Sequence, residues 1–217
     1  MKHFIIGAQN LIIGCLCLLA ACRPLHWAEK KVYQGEEVPP FYQDIQQDYL
    51  RSARVYDQFT TLLFIDMLWL SDAVRTWYVE QFIIKHGKNE TAKALMLRKQ
   101  LAENHHFLSF YVSSYVPNDE TMVWSDKNEL WAMRLIVGDR EMEPVSVKTA
   151  TLPPEYQILF QEAYNAHRTV YLIQFNARDE NDVPLLQPGI DSFMIRCATS
   201  FRFITLTWNC YEDCHRN

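Results

Sequence analysis

Trp131-Ala132-Met133-Arg134-Leu135-Ile136-Val137 alternates. Trp131, Met133, Leu135 and Val137 fall on one side of an extended chain, and Arg134 falls on the other. A period of two belongs to a strand with one face on a core. Gly138-Asp139 opens a turn, and Val145, Val147 and Thr149 continue as a second strand until Pro153-Pro154 breaks it. Residues 155–164 have the spacing of a short helix, and residues 169–175 (TVYLIQF) form a strand rich in β-branched and aromatic side chains. A polar loop follows over 177–192, with Pro188-Gly189 suited to a type II turn. Residues 193–197 and 201–208 make a hairpin around Thr199-Ser200. Five or six antiparallel strands predict a sandwich-like, Ig-like domain over residues 118–217, ending in a cysteine-containing tail. The buried Cys-Trp-Cys arrangement of true Ig domains is not recognisable.

Upstream the pattern reads differently. Residues 44–117 are expected to be helical. A first segment spans 52–86 and is apolar nearly all round between Leu62 and Leu70, as in a helix packed on several sides. His86-Gly87 has the form of a helix C-terminus, a cation in the last turn followed by glycine. A second segment spans 90–115, with Ala94, Leu97, Leu101, Leu108, Tyr111 and Tyr115 at steps of three and four. Pro117-Asn118-Asp119 ends it. The expected fold class is therefore α+β, an N-terminal helical hairpin followed by an antiparallel β domain. Residues 22–43, with Pro24, Gly35, Pro39 and Pro40 and no sustained period, read as a tether.

The N-terminus carries an address. Lys2 provides a short positive region, and residues 4–18 an apolar one interrupted by Gln9 and Asn10, too short for a comfortable membrane span. Cleavage before Cys22 places Ala21 at −1 and Leu19 at −3, where an ordinary signal peptidase prefers a small residue. Leu19-Ala20-Ala21-Cys22 resembles the lipobox of bacterial lipoproteins. The resemblance implies that residues 1–21 are a signal peptide recognised through Leu19, Ala20 and Ala21. It also implies that the Cys22 thiol takes a diacylglycerol group, and that the mature chain is held on the membrane by two or three acyl chains. Two chains suffice for stable anchoring. Arg23, standing where an aspartate would favour retention at the inner membrane, implies the outer membrane by the same resemblance. The mature chain would have 196 residues, 217 less the 21 of the leader, enough for a sizeable core. With Lys2 removed its formal charge is −6, and no Lys/Arg run occurs, which disfavours nucleic acid as a partner.

Few motifs carry chemistry. Gly35, Gly87, Gly138 and Gly189 are the glycines left after the leader, and each is used by tether, helix end or turn, so a phosphate-cradling loop is excluded. Neither a Gly-x-Ser-x-Gly elbow nor a His-Glu-x-x-His motif is present. Adjacent His105 and His106, expected within the second helix, diverge by about 100° and do not share a metal easily; one should be half-buried and one solvated. Asp66 stands alone among apolar neighbours. It either pairs structurally, with Arg75 or a histidine of the second helix, or lines a pocket. Envelope redox conditions permit a disulfide. Cys197, near the hairpin turn, lies too far along the strand from Cys210, at ~3.3 Å per residue, to bridge it. A disulfide between Cys210 and Cys214 is expected, leaving Cys197 a buried thiol, with Cys197 to Cys214 as the alternative. Trp69, Trp77, Trp124, Trp131 and Trp208 read as core.

No catalytic, metal or cofactor residue is assigned. The expected role is a non-enzymatic structural, assembly or protein-interaction component of the envelope, bound to the membrane through Cys22 and to an envelope protein partner. The alternative is a module holding a lipid or small hydrophobic ligand between helices and sheet.

Overall fold

A computed structural model describes residues 40–117, 124 and 131–210. These fall in one compact unit, which begins at Pro40. The elements are α1 (Pro40–Tyr49), β1 (Leu50–Asp57), β2 (Thr60–Trp69), α2 (Asp72–His86), α3 (Glu90–Asn104), β3 (Phe107–Tyr115), β4 (Ala132–Val137), β5 (Arg140–Met142), β6 (Ser146–Thr149), α4 (Pro154–Phe160), β7 (Thr169–Asn176), β8 (Ser192–Ala198) and β9 (Phe203–Asn209). The fold class is α+β. One sheet has the order β1-β2-β3-β7-β6 and the other β5-β4-β8-β9. Every strand pairing is antiparallel.

The first half corrects the sequence reading. Residues 50–69 are a β-hairpin, not helix, and residues 107–115 are a strand, not the end of a helix. Residues 44–117 are thus not a helical region set apart from a β region, because β1, β2 and β3 pair into the same sheet as β6 and β7. The reason lies in burial on two sides. Leu63, Ile65, Met67 and Trp69 point one way along β2 and Leu68 the other, with Leu70 just past the strand joining Leu68 in the second cluster, and all six are buried. A strand covered on both faces loses its alternation and reads as a continuous apolar run. The β1–β2 turn is also silent in sequence. Asp57 pairs with Thr60, so the loop is Gln58-Phe59, and Gln58 takes φ 53°, a left-handed conformation that usually selects Gly or Asn.

The expected helix end at Gly87 and turn at Gly189 hold, and the structure adds the helix starts. Ser71 caps α2 by accepting from the Val74 amide, and Gly87 (φ 58°) closes it, its own amide and that of Lys88 reaching Ile84 O and Ile83 O. Asn89 caps α3 in turn. Gly189 has φ 100°, and the Ile190 amide donates to Gln187 O, the bond of the expected type II turn.

The inner faces of both sheets feed one hydrophobic cluster. Aromatic rings join them: Trp69 meets Phe193 edge-on at 4.8 Å and Phe110 lies 5.4 Å from Trp208, while Phe193 stacks on its own sheet neighbour Trp208 at 5.3 Å. The five tryptophans expected in the core are all buried. A second cluster covers the outer face of the five-stranded sheet. There Ile45 of α1, Val74 and Trp77 of α2, and Tyr156, Leu159 and Phe160 of α4 pack with Leu68, Leu70 and Val170.

Candidate functional site

The polar features concentrate on that outer face. Asp66 is buried on β2, opposite Ser52 of β1 and Ser113 of β3. Its partners are neither Arg75 nor a histidine, as the sequence suggested. Arg54 donates to Oδ1 at 2.9 Å, Ser52 Oγ donates to the same oxygen, and Arg168 Nη1 pairs with Oδ2. The same two guanidiniums lie over the Phe64 ring, at 5.2 Å for Arg54 and 5.7 Å for Arg168. Two cations and a hydroxyl thus meet the desolvation cost of this carboxylate. That occupies both carboxylate oxygens and leaves Asp66 a structural ion pair.

Arg75 is buried on α2 and bonded outward to α3. Its Nε donates to Asn104 Oδ1 at 2.7 Å, and Nη1 donates to Gln100 Oε1 at 2.7 Å and Glu103 Oε2 at 2.9 Å. This guanidinium forms one wall of a cavity of about 220 Å³ between helices and sheet, with Tyr78, Tyr111 and Tyr156 on other sides. Tyr156 stacks on Tyr78 at 4.6 Å and lies 5.4 Å from Tyr111. Burial pushes all three phenols above their ordinary pKa, reinforced for Tyr78 by Glu155. Among the described residues the Tyr156 hydroxyl has no hydrogen-bond partner. At the cavity's margin Glu155 is itself buried. Burial alone would raise its pKa, but the Lys85 ammonium at 3.0 Å, its own backbone amide and the Lys85 and His86 charges outweigh that and hold it below the usual value.

His105 and His106 follow α3 instead of lying in it, and both are exposed, so the expected half-buried member is not there. The helix ends at Asn104 without Gly or Pro. His105 borders an open cleft of about 300 Å³ that also touches Asp72, Asn104 and Arg178. Asn104 Nδ2 donates to Asp72 Oδ1 at 2.7 Å, so these two satisfy each other. Asp66 lines neither this cleft nor the cavity beside Tyr156. No group of three or more His, Cys, Asp or Glu among the described residues could hold a metal ion.

Cys197 is a buried free thiol on β8, and burial raises its pKa strongly. It pairs in register with Ile204, while Cys210 lies just beyond Asn209 at the other end of β9. Six residues of strand, about 20 Å, separate them. Cys210 is buried. Cys214, Leu19, Ala20, Ala21 and Cys22 lie outside the described residues, and with them the expected disulfide, signal peptide and anchor. No described helix is long and apolar enough to cross a membrane.

Sequence reasoning missed two features. The Tyr78, Tyr111 and Tyr156 cavity draws on three distant segments and has no local signal. The other is a latch at one end of the sheets. Arg202, in the β8–β9 turn, donates to Tyr56 O at 2.9 Å and to Asp57 Oδ1 at 2.7 Å in the β1–β2 turn. A scan against protein-family models and searches of curated proteins and of solved structures found no match to the chain.

Proposed function

We propose that this chain is a lipid-anchored protein of the bacterial cell envelope, at the outer membrane, with a non-enzymatic structural or interaction role. The observation that carries the reading is Leu19-Ala20-Ala21-Cys22 at the end of a short apolar leader. Its body is read as a sandwich-like pair of sheets with helices packed on one outer face. The shared inner cluster and the inter-sheet ring contacts support that description. The interaction role is supported by how the buried charges are used. Asp66, Arg75 and Glu155 are each bonded to partners within the fold. An envelope protein partner fits this role.

The test is intact mass of protein purified from native membranes, with cross-linking to capture partners. The expected mass lacks residues 1–21 and carries acyl chains on Cys22, and Cys22→Ser leaves the membrane fraction. Wild-type protein that carries no acyl mass and still fractionates with membranes would falsify the anchor.

A second reading, a ligand-binding module, is favoured by the cavity beside Tyr156. Its lining of three phenols, Arg75, Gln100 and Gln174 suits a small polar molecule with hydrogen-bond acceptors better than a lipid. Native mass spectrometry of the same preparation checks it. A reproducible added mass that Tyr156→Trp abolishes supports a ligand, and a bare protein mass sinks the idea.

A further inference from the structure

The end of the molecule carrying the Arg202 latch is unusually apolar for a surface. Phe59, at the tip of the β1–β2 turn, is fully exposed, Phe201 is 94% exposed and Phe203 68%. Tyr56 stands beside them, also exposed. Single exposed apolar side chains are ordinary, but a cluster of large rings on adjoining turns marks a contact surface. The latch makes the cluster one surface, since Arg202 fastens the turn that bears Phe201 and Phe203 to the strand that bears Tyr56. An apolar cleft of about 280 Å³ opens beside it, touching Leu62, Val116, Trp131 and Thr199.

Charge and shape narrow the partner. The chain is acidic, with formal charge −5. Yet the charges tied to these turns are two guanidiniums, Arg196 and Arg202, against one carboxylate, Asp57; Arg54 and Arg168 lie farther in, over the Phe64 ring that Tyr56 touches, and are bonded to Asp66. Arg196 lies 5.9 Å from the Phe203 ring. Phe59 and Phe201 stand out on turns, and Phe203 is exposed at the adjoining end of β9. Protruding aromatics backed by arginines match the headgroup layer of a bilayer, where rings sit at the apolar boundary and guanidiniums meet phosphates.

We propose that the two latched turns form a membrane-contacting edge, with Phe59, Phe201 and Phe203 entering the interface of an anionic bilayer. The proposal draws on the anchored-lipoprotein reading only for the nearness of a bilayer, and the experiment separates the two.

Full-length protein carrying photoreactive p-benzoylphenylalanine in place of Phe59 or of Phe201 is irradiated in its native membranes. A control carries the same group at Leu95, exposed on α3. Phospholipid adducts at 59 and 201 but not at 95 are expected. Adducts to a second copy or to another protein, equal lipid labelling at 95, or no adduct at 59 and 201 would each overturn the proposal. The same proteins reconstituted in vesicles containing phosphatidylglycerol should give about fivefold more lipid adduct than in phosphatidylcholine alone, the effect of roughly one basic side chain at an anionic surface. Equal yields overturn it. Intact mass of each sample reports acylation of Cys22 independently, so an absent anchor and an absent tip contact are distinguishable.

Discussion

The two faces of the five-stranded sheet are built on opposite rules. Its inner face is apolar and aromatic, and there Phe110 meets Phe193 and Trp208 of the four-stranded sheet ring to ring. Its outer face is equally covered but carries the buried charge, with Asp66 among two arginines and Arg75 and Glu155 bonded to neighbouring helices. The lesson is that burial alone does not set how a face tolerates change. The inner face fails by leaving voids, and the outer face fails by leaving charges without partners.

Substitutions test that contrast. The largest effect should come from the inner face. Trp208 is fully buried, and its Nε1 donates to Tyr49 O at 2.8 Å. Trp208→Ala should cost about 4 kcal/mol in chemical denaturation; a loss below about 1 kcal/mol would mean the sheets can close over the void. On the outer face, Asp66→Ala should cost about 3 kcal/mol, because Arg168 is left nearly buried without its anion. Adding Arg168→Met to it should recover part of that loss, whereas no recovery would refute the charge argument.

The Glu155–Lys85 pair is weaker because Lys85 is half-exposed. Glu155→Gln should cost about 1 kcal/mol or less at neutral pH. The folded-state pKa of Glu155 is lowered, so its contribution is complete above the ordinary value of 4.5 and fades as pH falls through the lower folded value. The difference between wild type and Glu155→Gln should therefore shrink in denaturation curves taken below pH 4.5, and a constant difference would show that the pair does not act through charge. The smallest effect is Tyr156→Phe. Among the described residues its hydroxyl has no partner to lose, so stability should change by less than about 0.5 kcal/mol or rise slightly. A larger loss would reveal a hydrogen bond through the cavity.

Sequence legibility follows the same contrast. Strands β4, β7, β8 and β9, the turn at Gly189 and the C-terminal end of α2 carry local signals: alternation, β-branched runs and glycines at positive φ. Strand β2 lacks them because Asp66 and Leu68 are buried on its second face. Strand β3 imitates a helix, since Leu108, Tyr111 and Tyr115 recur at steps of three and four although its backbone is extended. The partners of Asp66 were not legible either. Arg168 lies 102 residues away, and only the sheet register, with β3 between β2 and β7, brings it near. The exposed rings of Phe59 and Phe201 look in sequence like any core aromatic.

Strand β9 has a consequence for biosynthesis. Trp208 fills the centre of the inner cluster and is tied to Tyr49, 159 residues earlier, while Arg51 donates to Thr207 O across 156 residues. The earliest and latest described elements therefore complete the core together. A growing chain cannot close this interior until residue 209 is available, roughly 10–40 s after synthesis begins at ordinary elongation rates. Under the lipoprotein reading proposed above, that delay would suit an export channel that threads unfolded polypeptide.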